Sequence, residues 1–204
     1  MTRKPPMRRA GEAVIDQIIA WAARGQSAPA RVLEGAASFA EWAHYPQPDA
    51  IDPHSFWRFY YHAHPRSQRL RDEHGHFHIF VPAPATARPD TAAAFSHLIA
   101  VSVDAKGLPL RLFTTNRWVT DEVWQPADAM IRHLRSPALH DAEPRDVAGW
   151  LNHLLVAFKP AIAALLTARD ERLTMAALHR RAPLEDRRLR IPSQRMIRIE
   201  HGQG

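Results

Sequence analysis

The chain contains no cysteine. That excludes disulfides, thiolate metal sites and cysteine nucleophiles, and leaves imidazole, carboxylate and phenol for any chemistry. It does not fix the compartment. No stretch approaches the roughly 20 apolar residues of a membrane span. The first residues, Met1 to Arg9, are basic, and the apolar run after them is interrupted by Glu12, Asp16 and Gln17. This is not a signal-peptide core, and a cytoplasmic protein is the expectation. There is no phosphate-binding glycine loop, no internal repeat and no nucleic-acid recognition motif.

What is present is an ordinary globular composition, 46% hydrophobic and 24% charged over 204 residues. That is enough for a single domain over 1–204. The net charge is +6, with basic clusters at Arg3 to Arg9 and Arg180 to Arg198. Basic ends are usually solvated; contact with a polyanion is the other reading.

Histidine is concentrated in one stretch. His62, His64, His74, His76 and His78 fall between Ser55 and Val81, all at even positions. In a strand, residues two apart share a face. Phe56 to His64 and Phe77 to Val81 are aromatic and β-branched, so both read as strands. The polar segment between them suits a hairpin loop. With His64 opposite His74, His62 faces His76 and Tyr60 faces His78, all on one side. Phe77, Ile79 and Val81 then point towards a core, and a slip of one residue would separate the histidines.

The rest of the chain frames this hairpin. Val14, Ile15, Ile18, Ile19 and Trp21 recur at helical spacing over residues 10–24, and a second helix is expected over 28–43. Three prolines in Tyr45 to Pro53 read as a boundary between a helical part (1–45) and a β region (54–119). Pro82 to Asp90 reads as a stiff loop over the sheet. Phe95 to Val103 and Leu108 to Thr115 are two further strands, joined by a turn at Asp104 to Gly107. Pairing Val103 with Leu108 sets Val101 against Leu110, Ile99 against Leu112 and His97 against Thr114. Alternation therefore places His97 on the apolar face, which makes it either a core histidine or a sixth member of the site reached from a neighbouring strand; its facing argues against the second unless the sheet curves round on itself. Thr120-Asp-Glu-Val looks like a helix cap, Pro126 opens a helix through His133, and Glu143 opens a long helix that Pro160 kinks or restarts. These fill 120–182, before a basic tail, 183–204, with one β-prone patch at Met196. The fold expected is α+β: an antiparallel sheet of about four strands (residues 55–116) flanked by N-terminal and C-terminal helices.

Two His-x-His pairs, His62/His64 and His76/His78, with His74 in addition, can hold a divalent transition metal such as zinc, iron, copper or manganese. Tyr60, Asp72 and Glu73 offer oxygen ligands or supporting partners. His62, His76 and His78 form the expected centre, with His64 and His74 as auxiliary ligands or proton carriers. Without sulfur, a catalytic or redox site fits better than a structural zinc knuckle. His76, His78 and Arg117 are the catalytic candidates, Arg117 and Trp118 being placed to orient a small-molecule substrate. A metal carrier or regulatory partner protein is the non-enzymatic alternative. A plain polar sheet face is the bland one, although imidazoles crowded together repel once protonated.

His74-Gly-His-Phe-His-Ile-Phe also resembles the histidine-triad signature, His-φ-His-φ-His-φ-φ with φ apolar. The resemblance implies phosphoryl or nucleotidyl transfer with His76 as nucleophile and His74 and His78 assisting. Gly75 departs from its first apolar position. Taken whole, the chain resembles an uncharacterised bacterial family, a domain of unknown function. That resemblance rests on Phe56-Trp-Arg-Phe-Tyr-Tyr-His-Ala-His-Pro, His74-Gly-His-Phe-His-Ile-Phe-Val-Pro and Leu112-Phe-Thr-Thr-Asn-Arg-Trp-Val-Thr-Asp, and it implies no known activity.

Overall fold

The computed structural model describes residues 5–36, 38–84, 95–179 and 181–199. The fold is α+β, built on one antiparallel sheet whose strands lie side by side in chain order. They are β1 (Tyr45–Ile51), β2 (Arg58–His62), β3 (Gly75–Pro82), β4 (Phe95–Val103), β5 (Pro109–Phe113) and β6 (Gln194–Met196). The helices are α1 (Pro6–Ala22), α2 (Ala28–Val32), α3 (Arg117–Thr120), α4 (Ala127–His133), α5 (Arg145–Ala157) and α6 (Lys159–Ala177). The expected loop over Pro82 to Asp90 lies largely outside the described residues, as do the outermost parts of both basic ends.

Among the described residues the sheet has six strands rather than about four, because both outer strands escape the usual sequence signals. β1 carries Pro46 and Pro48, which suggested a boundary; an edge strand tolerates proline because one side needs no ladder donors. β6 is short and exposed, yet it pairs with Arg111, Leu112 and Phe113 of β5. The segment 183–199 is therefore part of the fold, not a free tail. Asn116 Nδ2 donates to the Pro183 carbonyl at 2.8 Å, and the Trp118 indole N–H donates to the Asp186 carbonyl at 3.0 Å.

One face of the sheet is covered by helices. Phe59, Tyr61, Phe77, Ile79, Val101 and Leu112 are fully or almost fully buried there. Trp150 of α5 packs edge-on against Phe77 and Trp21 of α1, at 5.7 and 5.8 Å between ring centroids. The Trp21 indole N–H donates to Asp146 Oδ2 at 2.9 Å, tying α1 to the start of α5. Pro160 restarts the chain as α6, bent by 76° from α5. No single helix among the described residues is long and apolar enough to cross a membrane.

Three helical expectations are corrected. α1 begins at Pro6 rather than residue 10, with proline in the first turn where its missing N–H is no loss. The helix expected over 28–43 stops at Val32. Tertiary contacts claim the segment after it: the Trp42 N–H donates to the Ala63 carbonyl at 2.9 Å, and its ring stacks on His64 at 4.3 Å. Thr120, read as a cap, instead closes the short α3, which Asn116 caps through Oδ1.

The ladder registers decide what the other face carries. His62 pairs with His76 and Tyr60 with His78, as alternation requires. The expected pair His64 and His74 falls beyond the ladder, since β2 ends at His62 and β3 begins at Gly75. Between β4 and β5 the register differs from expectation: Val101, not Ile99, lies opposite Leu112. The turn itself forms as expected, with Gly107 at φ 83° and Asp104 Oδ1 accepting from the Lys106 and Leu108 amides. An extra residue, Leu110, then shifts the pairing, so that Ser102 opposes Arg111 and Val103 opposes Pro109. A second irregularity lies between β3 and β4. Ile79 opposes Ile99, but Phe80 opposes His97, and Leu98 is the extra residue. Leu98 and Ile99 both enter the helix-covered core. Everything before them in β4 changes face.

Candidate metal centre

The sheet face away from the helices carries Tyr60 and His62 from β2, His76, His78 and Phe80 from β3, and Phe113 from β5. His62, His76 and His78 are 8%, 2% and 2% exposed, and one ring nitrogen from each lies within 4.8 Å of the others. These are the three histidines that alternation puts at the centre of the hairpin. His62 Nε2 and His76 Nε2 are 2.8 Å apart.

The surrounding hydrogen bonds orient each ring. His76 Nδ1 stands 2.9 Å from Glu73 Oε1. A carboxylate accepts only from a protonated nitrogen, so the His76 proton sits on Nδ1 and the Nε2 lone pair faces His62. Glu73 is itself buried, and its Oε2 accepts from the Arg111 guanidinium at 3.2 Å. Arg111 Nε donates to Ser102 Oγ at 3.3 Å. A chain of side chains thus fixes His76 from behind. Glu73 was legible as a supporting oxygen from its place beside the histidines. Arg111 was not, because the Leu110 bulge sets its pairing.

His97 corrects the expectation that it belongs to the apolar face. The Leu98 bulge turns it to the histidine side, where its Nε2 is 2.9 Å from His78 Nδ1. Its Nδ1 meets Thr115 Oγ1 at 3.0 Å, and its backbone N–H donates to Glu122 Oε2. With protons on the Nδ1 atoms of His78 and His97, each donates to the next group in line, and His78 Nε2 is left for the centre.

The electrostatics keep the rings neutral. Burial, reinforced by neighbouring His76, pushes His62 down to about 2. Burial alone is the leading cause that holds His76 and His78 well below the ordinary imidazole range, and it takes His97 to about 3. Neutral imidazoles are the form that binds a metal. Glu122 is pushed the other way by burial, up to about 8, so the carboxyl supporting His97 is held in its protonated form at neutral pH.

The remaining expected residues are divided. His64 lies against the cluster, 4.9 Å between ring centroids from both His62 and His76, but its Nε2 accepts from Arg190 at 3.2 Å. His74 is apart from it: its Nδ1 bonds the Tyr61 hydroxyl and its ring faces Phe39. Gly75 makes this possible. A side chain there would collide with the Tyr61 hydroxyl and lie 2.6 Å from the His62 carbonyl oxygen. His74, His76 and His78 therefore do not form a row on one face, which the triad resemblance requires. Arg117 is engaged with Glu185 and Asp121, and does not border the cavity beside the histidines.

That cavity measures about 390 Å³ and is lined by the three histidines together with His44, Arg111 and Arg190, among others. His44 was missed because it falls between the helix expected over 28–43 and the proline-rich stretch, Tyr45 to Pro53, read as a boundary. Its ring stacks on Tyr60 at 3.6 Å, and its Nδ1 is 3.1 Å from Asp49 Oδ1. Asp49 is also paired with Arg58.

No curated protein and no solved structure matches the chain. The family model described as Domain of unknown function (DUF6969) matches residues 8–197, and the chain belongs to that family.

Proposed function

We propose that the protein is a metal-dependent enzyme that holds one divalent transition metal through His62, His76 and His78, with a further coordination position open to the cavity. The observation that carries this reading is the convergence of three buried, neutral imidazoles whose ligand atoms lie within 4.8 Å of one another at the floor of a cavity. Metal–nitrogen bonds of about 2.0–2.1 Å at tetrahedral angles put ligand nitrogens roughly 3.3 Å apart. His62 and His76 need to separate by about half an ångström from their 2.8 Å contact. The proton between them moves to His62 Nδ1, a change of tautomer that leaves the ring neutral.

The ligand chemistry supports water activation. Three neutral nitrogens leave the full double charge of the ion uncompensated, which acidifies a bound water towards neutrality. Zinc suits this set best; iron and copper also accept imidazole, while manganese prefers oxygen. The class of reaction is therefore hydrolysis or another addition of water. His44 is the cavity group placed to move a proton, because Asp49 fixes its Nδ1 and no described residue bonds its Nε2. The enclosure favours an enzyme over a metal carrier, which needs an exposed site to exchange its cargo.

Substitution by cobalt(II) tests the open position. A four-coordinate centre with three nitrogens and water gives intense visible bands that change when azide replaces the water. Weak bands of a six-coordinate ion, indifferent to azide, would count against the reading.

A further inference from the structure

Four carboxylate or guanidinium side chains border the cavity: Glu73, Arg111, Asp121 and Arg190. Three of them have partners of opposite charge. Glu73 and Arg111 pair with each other at 3.2 Å, and Asp121 pairs at 3.3 Å with Arg117, outside the cavity. Arg190 is the remaining one. Its hydrogen bond goes to His64 Nε2 at 3.2 Å, and its guanidinium lies 5.6 Å from the centre of the Trp42 ring. No carboxylate among the described residues pairs with it. Neither neighbour neutralises its charge, and His64 is held down to about 4 by burial first and Arg190 second.

The backbone of Arg190 is fixed. Its carbonyl oxygen accepts from the Asn116 amide at 3.1 Å, and the preceding Leu189 is buried. A half-buried guanidinium without a counter-ion is costly unless an anion completes it in the working state. Its planar fork matches a carboxylate or a phosphate through paired N–H groups. Arg190 and the three histidines line the same cavity, and His64 contacts Arg190, His62 and His76, so one small molecule can reach both the guanidinium and the three-histidine centre.

We infer that the cavity takes a small organic anion, a carboxylate or a phosphate monoester, recognised by Arg190. The anion site rests on Arg190 and the cavity; that its occupant is the substrate rests on the metal-centre reading above. Arg190 is then the specificity residue, and the anionic group lies on the side of the cavity bordered by Trp42 and His64. His64 also gains a role. When an anion draws the guanidinium away, its Nε2 is released beside the centre.

The test is calorimetric titration of the full chain, metal-free and after one equivalent of zinc, with benzoate, phenyl phosphate and the neutral analogue benzamide. Wild type should bind benzoate or phenyl phosphate with a millimolar or lower Kd and leave benzamide unbound; which anion binds tells carboxylate from phosphate. Arg190→Gln should bind that anion at least tenfold more weakly, with its anion-free melting temperature no lower and its zinc stoichiometry unchanged. Arg190→Lys keeps the charge but not the fork, so it should fall between the two and covers the case in which Arg190→Gln folds poorly. Failure of both anions in both metal states would overturn the inference, as would equal binding by Arg190→Gln or equal binding of benzamide. Anion binding in a protein that takes no zinc would support the anion site and remove the metal reading. Zinc binding without anion binding would do the reverse.

Discussion

His97 Nε2 lies 2.9 Å from His78 Nδ1, although strict alternation along β4 puts the two rings on opposite faces of the sheet. The Leu98 bulge is the cause, and it gives His78 a fixed tautomer and a partner behind it. Groups that orient ligating histidines in this way typically contribute 10- to 100-fold to metal affinity. His97→Ala should therefore weaken zinc binding by about that factor, while His97→Gln, which can still accept from Nδ1, should lose less. Competition titration against a chromophoric chelator reads the difference. Unchanged affinity in a folded His97→Ala protein would show that His78 needs no support.

Glu73 faces both His76 and Arg111 from a buried position. Glu73→Leu removes one partner of a buried ion pair and leaves the Arg111 guanidinium uncompensated. The loss of stability should be about 3–5 kcal/mol, measured by urea unfolding. Glu73→Gln keeps an acceptor for His76 and should lose less stability, while still weakening zinc binding. A Glu73→Leu protein as stable as wild type would mean that Arg111 finds another partner.

Acid should destabilise the metal-free protein. His62, His76, His78 and His97 are held well below the ordinary value of 6.5, chiefly by burial. The unfolded chain takes up protons near pH 6.5, and the folded chain does not. Their contribution to stability is thus complete above that pH and is lost as pH falls below it. Each ring adds a slope approaching roughly 1.4 kcal/mol per pH unit. Glu122, raised to about 8 by burial, opposes the rings by about one proton between pH 7.5 and 5.5, so urea midpoints should change little from pH 7.5 to 6.5 and fall steeply from 6.5 to 5.5. A flat series would show that the rings are protonated in the folded protein.

Two glycines should respond with opposite signs. Gly75→Ala forces a methyl group onto the Tyr61 hydroxyl and the His62 backbone, a contact that cannot relax without moving β2. It should cost about 1–3 kcal/mol or more. Gly149, inside α5, has open space where a side chain would go, so Gly149→Ala should stabilise by roughly 0.5–1 kcal/mol. Melting temperatures of the two variants check both signs, and a neutral Gly75→Ala would contradict the close approach.

The inner ladder of the sheet was legible because its side chains alternate cleanly. The even histidines and odd core residues of β2 and β3 give the register directly, and with it the grouping of His62, His76 and His78. What alternation cannot reveal is where it is interrupted. The bulges at Leu98 and Leu110 leave no mark in runs that are apolar on both sides, so His97 was placed on the wrong face and the partner of Leu112 was displaced. Edge strands were hidden for another reason: β1 contains the prolines that usually end structure. Arg190 lies over a hundred residues from the histidines in sequence, in a segment whose basic composition resembles a solvated tail. Arg117 had the suitable chemistry at a strand end, but Glu185, brought back by the same segment, claims it.

The most direct test of the central claim is the metal content of the purified protein and of two histidine variants. Wild type should carry or take up one zinc ion per chain with a Kd below micromolar. His76→Ala should lose it while keeping its far-ultraviolet circular dichroism, since Phe77 and Ile79 hold the core side of the strand. His133→Ala, on α4 against Trp57, should keep the metal. Absence of bound metal at micromolar concentrations of zinc, iron, copper and manganese, or equal loss from His76→Ala and His133→Ala at matched folding, would contradict a metal centre on this hairpin.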